Sequence, residues 1–202
     1  MARDTPRLTP PEMPDVDDYD WVEHTRDTRL NALSITLVTP IRPDPIAILH
    51  PIKELGAFTV EELLDRSLGI DDYGWRKIVI AVDELGDWTV IVEPNGYLTS
   101  FPRTLEALSD GGRAGNVYWN VNAVMSFGWA VDGRLVRQFD PLLYDSEGAL
   151  PEERDLPFGR PGAPQAAALA LLERLTGTRV DRDWLLERAR PAYVVPVADW
   201  GK

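Results

Sequence analysis

Residues 86–140, GDWTVIVEPNGYLTSFPRTLEALSDGGRAGNVYWNVNAVMSFGWAVDGRLVRQFD, decide the fold: they read as a strand, a turn, a short helix and an aromatic-rich hairpin. Trp88, Val90 and Val92 share one face of an extended segment, and Thr89, Ile91 and Glu93 share the other. Both faces carry apolar residues, which is the pattern of a central strand. Pro94-Asn95-Gly96 ends it, because proline fixes φ and removes a donor while Asn-Gly accepts positive φ. Pro102 opens a helix that carries Thr104, Leu105 and Leu108, and Asp110-Gly111-Gly112 stops it. A second strand is expected over 116–124, with Val117, Trp119, Val121 and Ala123 on one face and Tyr118, Asn120 and Asn122 on the other. A third runs over 126–131, and Asp132-Gly133 turns it into a return strand over 134–139. The centre of the fold is therefore expected to be an antiparallel meander.

Outward from this stretch, 33–38 and 77–82 are short β-branched runs and read as strands, the latter paired as a hairpin with the Trp88 strand. Residues 46–55 have apolar residues at roughly helical spacing, with Pro51 splitting them, and read as irregular helix. Thr59 and Glu62 are spaced as a capping box ahead of a helix to about 67. A short helix is also expected over 18–29. The run 164–176, PQAAALALLERLT, is the clearest helix: proline in the first turn, alanine and leucine throughout, Gly177 at the exit. Asp181 caps a last helix over 182–190. The connection 140–160 is long for a compact domain and either wraps the body or covers a site.

With 202 residues, 44% hydrophobic and 27% charged, the chain reads as one α+β domain over 18–190, an antiparallel sheet of about five or six strands with packed helices. The proline-rich residues 1–17 read as a flexible arm and 191–202 as an extended tail that docks on the body as an edge strand or serves a partner as a peptide-like element. Cysteine is absent and histidine occurs twice, so no disulfide framework, metal site or cofactor is expected. No apolar run reaches the ~20 residues that span a bilayer, and residues 1–20 lack the apolar core of a secretory signal, so a cytoplasmic location is expected. The net charge of −12 argues against nucleic acid as a partner, since phosphate repels such a surface.

Glu93 is the most site-like residue: a carboxylate at a strand end can act as a base or grip a cation, or it can bind the turn's own amides. Asn95 sits in that turn. Tyr118, Asn120 and Asn122 would stand in one hydrogen-bonding row that reads a ligand or ties the hairpin to a neighbouring loop. Arg113 and Arg137 are candidate partners for Glu93 or Asp140. Trp119, Phe127 and Trp129 alternate with valines and belong to the core, whereas Trp75 and Trp200 fall outside the alternation and are candidates for an interaction surface.

The motifs Trp88 with Glu93-Pro94-Asn95-Gly96 (W-x-x-x-x-E-P-N-G), Asn120-Val121-Asn122-Ala123, Phe139-Asp140-Pro141 and the 164–177 helix resemble an uncharacterised actinobacterial family of unknown function over residues 33–187. The resemblance implies fold boundaries and brings no activity. Three functions are therefore weighed. The leading one is a non-enzymatic, acidic protein–protein interaction module, of the immunity or anti-toxin type in bacterial conflict, whose partner is a protein with a basic surface. The second is a small-ligand binder or enzyme with a pocket at Glu93, Asn95, Asn120 and Asn122, lidded by 140–160. The third is a structural subunit tethered by its tails.

Overall fold

The computed structural model describes residues 13–23, 26–39, 45–68, 77–160 and 162–197. Its strands are β1 (Leu33–Thr39), β2 (Lys53–Phe58), β3 (Lys77–Leu85), β4 (Trp88–Pro94), β5 (Arg113–Trp119), β6 (Met125–Val131), β7 (Arg134–Phe139) and β8 (Arg190–Pro196). They form one sheet in the order β2-β8-β3-β4-β1-β5-β6-β7, and every neighbouring pair is antiparallel. The helices are α1 (Pro45–Ile48), α2 (Val60–Leu68), α3 (Pro102–Leu108), α4 (Pro164–Thr176) and α5 (Arg182–Glu187).

The α+β class stands, and the expected five or six strands become eight. The two strands that sequence missed lie at one end of the sheet. In β2, Lys-Glu-Leu-Gly-Ala-Phe has no β-branched residue, and as an edge strand it is largely exposed, so no alternation marks it. The helical reading of 46–55 holds only for α1, which ends ahead of Pro51. Residues 191–196 are extended as expected, but inside the sheet: β8 lies between β2 and β3, with Pro191 and Pro196 near the ends of its ladder.

The meander is also interrupted. β1 slots between β4 and β5, with Ser34 opposite Glu93 on one side and Tyr118 on the other. The expected strand over 116–124 begins earlier and ends earlier. Residues 120–124 form the loop to β6, closed by Asn120 N–H to the Val124 carbonyl (3.1 Å) and with Ala123 at φ 57°. At the next turn both Asp132 and Gly133 take positive φ, as a two-residue hairpin requires. The helix expected over 18–29 is two short 3-10 turns, Val16–Val22 and Thr28–Leu30, and the last helix stops at Glu187. Residues 1–12 of the expected arm, and Trp75 and Trp200, lie outside the described residues; 13–17 lead into the first 3-10 turn, with the Pro14 carbonyl accepting from Arg174 Nε (2.7 Å).

Alternation then builds two cores. On one face Leu33, Ile35, Leu37, Val90, Val92, Val117, Trp119 and Phe127 are buried beneath α4, with α2 and α5 beside it. The alanines of α4 let it settle close to the strands, and Gly115 completes the fit: a Cβ there would stand 2.6 Å from Leu172 Cδ1 and 2.9 Å from Trp129. Trp119 and Trp88 reach the edges of this core, where their indole N–H groups donate to the Leu30 (2.7 Å) and Thr176 (3.2 Å) carbonyls. The opposite face buries Val38, Ile78, Ile80, Ile91, Ala114 and Ala130 under α1, α3 and the 3-10 turn Leu98–Ser100. Thr59 and Glu62 bond reciprocally ahead of α2, as their spacing predicts. No helix among the described residues is long and apolar enough to cross a membrane.

Candidate functional site: an aromatic cleft beside a buried carboxylate

Glu93 lies on the second face of β4 and is fully buried. Its carboxylate accepts from the Leu98 amide (2.7 Å), the Thr99 amide (2.8 Å) and the Thr99 hydroxyl. A chain of side chains continues across the sheet. Thr36 Oγ1 donates to Thr99 Oγ1 (2.7 Å), and Asn116 Nδ2 donates to Ser34 Oγ and Thr36 Oγ1 (each 2.8 Å). Burial pushes the Glu93 carboxyl above its ordinary value, while the bonds from Thr99, Leu98 and Ser34 pull it back. The turn is built around this group: Asn95 takes φ 56°, and at Gly96 a Cβ would stand 2.4 Å from Ile78 Cδ1 and 2.7 Å from Glu93 Cβ. Glu93 therefore clasps segment 97–101 to the sheet; nothing from solvent reaches it.

The other sequence candidates scatter. Asn95 is exposed, and its backbone N–H donates to the Ala32 carbonyl (2.9 Å). Asn120 Nδ2 donates to the Tyr118 hydroxyl (2.7 Å), and its Oδ1 accepts from the amides of Asn122 (2.9 Å) and Val124 (3.2 Å). Asn120 thus organises the loop, Asn122 is exposed within it, and the expected row of three does not form. Arg113 stands at the far end of β5 with its guanidinium over the Trp88 ring (5.2 Å). Only Tyr118 and Asn120 touch side chain to side chain.

Tyr118 faces something sequence reasoning did not find. An open cleft of about 430 Å3 lies at the end of the second face, walled by Tyr97, Phe101, Tyr118, Val124, Ser126 and Gln138. Tyr97 and Phe101 meet edge to face at 5.4 Å and 84°, both on the segment that Glu93 holds. Tyr118, Ser126 and Gln138 come from three successive strands, and Gln138 Nε2 donates to the Ser100 carbonyl (3.3 Å), joining β7 to the aromatic wall. Burial raises the Tyr118 phenol above its ordinary value, against the bond from Asn120. Around the mouth, Tyr97 (40% exposed) and Val124 (50%) stand in water.

The connection over 140–160 wraps the body and contributes no wall to this cleft. Buried Arg137 pairs with neither Glu93 nor Asp140. It binds Glu153 in two-pronged fashion (2.9 and 3.1 Å) and donates to the carbonyls of Glu147 (2.8 Å) and Asp145 (2.5 Å). Its guanidinium also lies over Phe139 (4.5 Å), in a cluster with Tyr144 and Phe158. Arg137 thus fastens the connection at three residues, and Arg174 adds bonds to the Glu152 (2.9 Å) and Arg154 (2.7 Å) carbonyls.

Among the described residues, no group of three or more His, Asp or Glu side chains is placed to hold a metal ion. No curated protein and no solved structure matches the chain. A family model described as a family of unknown function (DUF6461) matches residues 13–155, which takes in seven of the eight strands and every wall of the aromatic cleft. The match covers well over half of the chain, and the protein belongs to this family.

Proposed function

We propose that the protein is a cytoplasmic, non-enzymatic binding module that receives another protein at the aromatic cleft, with neutralisation of a basic partner, as in an immunity protein, as its particular form. The observation that carries this reading is the rim. Tyr97 and Val124 hold apolar surface in water around a concave aromatic wall, and tyrosine is enriched at the centres of protein interfaces. The net charge of −12 favours a basic partner and fast association. Glu93, the most site-like residue by sequence, supports the wall from behind through the Leu98 and Thr99 amides.

The test is partner retention by the immobilised full chain and its Val124→Asp variant, followed by association rates at several salt concentrations. A protein held by the wild type and lost by the variant, with a rate that falls as salt rises, supports the proposal. Equal retention by both chains, or a rate indifferent to salt, overturns it. A small-ligand reading also draws support, because the cleft volume falls in the range of about 300–1,000 Å3 usual for such sites.

A further inference from the structure

Several aromatic rings elsewhere among the described residues lie under the chain's own arginines. Arg66 lies over Phe58 (4.1 Å), Arg113 over Trp88 (5.2 Å), Arg137 over Phe139 (4.5 Å) and Arg190 over Trp184 (4.2 Å). The rings of Tyr97, Phe101 and Tyr118 differ. They wall an open cleft, and among the described residues no lysine or arginine lies over them. An aromatic face is the negative pole of a quadrupole and attracts a cation placed over it. No side chain of the cleft wall carries a charge that would repel a cation, the Glu93 carboxyl lies in the layer beneath, and the chain as a whole is strongly acidic.

We infer that the cleft is a receptor for an alkyl-stemmed cation, presented as a lysine or arginine side chain of the partner, with its charged head among Tyr97, Phe101 and Tyr118. This deepens the binding-module reading and rests on it. Val124 at the rim suits the methylene stem, and the rings suit the head. Buried Glu93 is then a positioning residue: it acts through the Leu98 and Thr99 amides, which set the segment that bears Tyr97 and Phe101.

The experiment is a titration of the full isotope-labelled chain, followed by nuclear magnetic resonance at constant ionic strength. Four probes are used: Nα-acetyl-arginine methylamide, Nα-acetyl-lysine methylamide, choline, and 3,3-dimethylbutan-1-ol as the uncharged isostere of choline. The expected result is saturable shifts at Tyr97, Phe101, Tyr118 and Ser126 with the amino-acid cations, and binding of the isostere weaker than choline by roughly fivefold or more. Tyr97→Leu, which keeps bulk and removes the ring, should weaken the cations by a similar factor. The inference falls if the isostere binds as well as choline, if Tyr97→Leu changes nothing, or if no probe saturates. Choline saturating where neither amino-acid amide does would also overturn it, in favour of a small quaternary-ammonium ligand. These outcomes are separate from the retention test. A partner lost on Val124→Asp with no preference for cations would leave the module standing and remove only this inference.

Discussion

The two faces of the sheet are covered to different extents. On one, α4 presents buried residues from Ala166 to Leu172 without a break, and Gly115 lets it lie almost against the strands. On the other, the cover of α1, α3 and the Leu98–Ser100 turn stops at Phe101, and beyond it Tyr118, Ser126 and Gln138 look into an open cleft. Both faces come from the same alternation along the same strands. What separates them is side-chain chemistry: valine and leucine at the closed face, and tyrosine, serine and glutamine where the open face runs out. The first needs to be covered for the protein to fold; the second can stay wet. Stability should therefore reside on the closed side and in the buried anchors, and recognition at the open end.

Substitutions can break that division, beginning with the largest effect. Arg137→Ala leaves Glu153 as a buried charge without its partner and frees the connection over 140–160; a loss of ~3–5 kcal/mol is expected in urea denaturation. A loss below ~1 kcal/mol would mean that the aromatic cluster and the bonds from Arg174 to the Glu152 and Arg154 carbonyls suffice to hold the connection. In α4, Leu171→Ala opens a cavity in the dry core and should cost ~2–5 kcal/mol by the same measurement. The same class of change at the open end should be mild: Val124→Ser is expected within ~0.5 kcal/mol of wild type while abolishing partner retention. A large stability loss there would erase the distinction between the faces.

Between these extremes stands Glu93, and its signature is in pH. Burial raises its folded-state pKa, so its contribution to stability is fully present below its ordinary value of 4.5 and is lost as pH climbs through the raised one. Glu93→Gln should remove that decline, so the gap between wild type and variant, read from urea midpoints across pH, narrows or reverses as pH rises. Asp27 should behave in the opposite sense. Hydrogen bonding to Arg29 lowers its pKa, so its contribution is present at neutral pH and lost on acidification, and Asp27→Asn should flatten the acid limb only. A wild-type-to-variant gap for Glu93 that grows with pH would contradict the assignment of burial as the dominant influence.

Much of the fold was legible because local signals agreed with one another. The α4 boundaries follow from Pro164 and Gly177, which has φ 69° at the cap, and the Asp132-Gly133 hairpin follows from its dipeptide. β2 and β8 were illegible for physical reasons: an edge strand has no buried face to pattern, and prolines at both ends of a strand read as tail. The slot of β1 between β4 and β5 is a matter of long-range pairing, which no local run encodes. That gap also hid the site. Glu93, singled out by its place at a strand end, is bonded to the Leu98 and Thr99 amides just past its turn. The cleft it supports joins Tyr97 and Phe101 to Tyr118, Ser126 and Gln138, and only the assembled order of β5, β6 and β7 brings them to one place. The four-residue spacing of Tyr97 and Phe101 beside a proline was the one available hint.

Because β8 fills the space between β2 and β3, the growing polypeptide cannot close its sheet as it leaves the ribosome. Residues 53–58 must wait for residues 190–196 to be translated, more than a hundred codons later, before they gain a strand to pair with. Until then the flank of β3 that β8 will occupy is a bare hydrogen-bonding edge, open to pairing with the wrong chain. Newly made protein should for that reason depend on chaperones and slow synthesis far more than the finished molecule's stability would suggest.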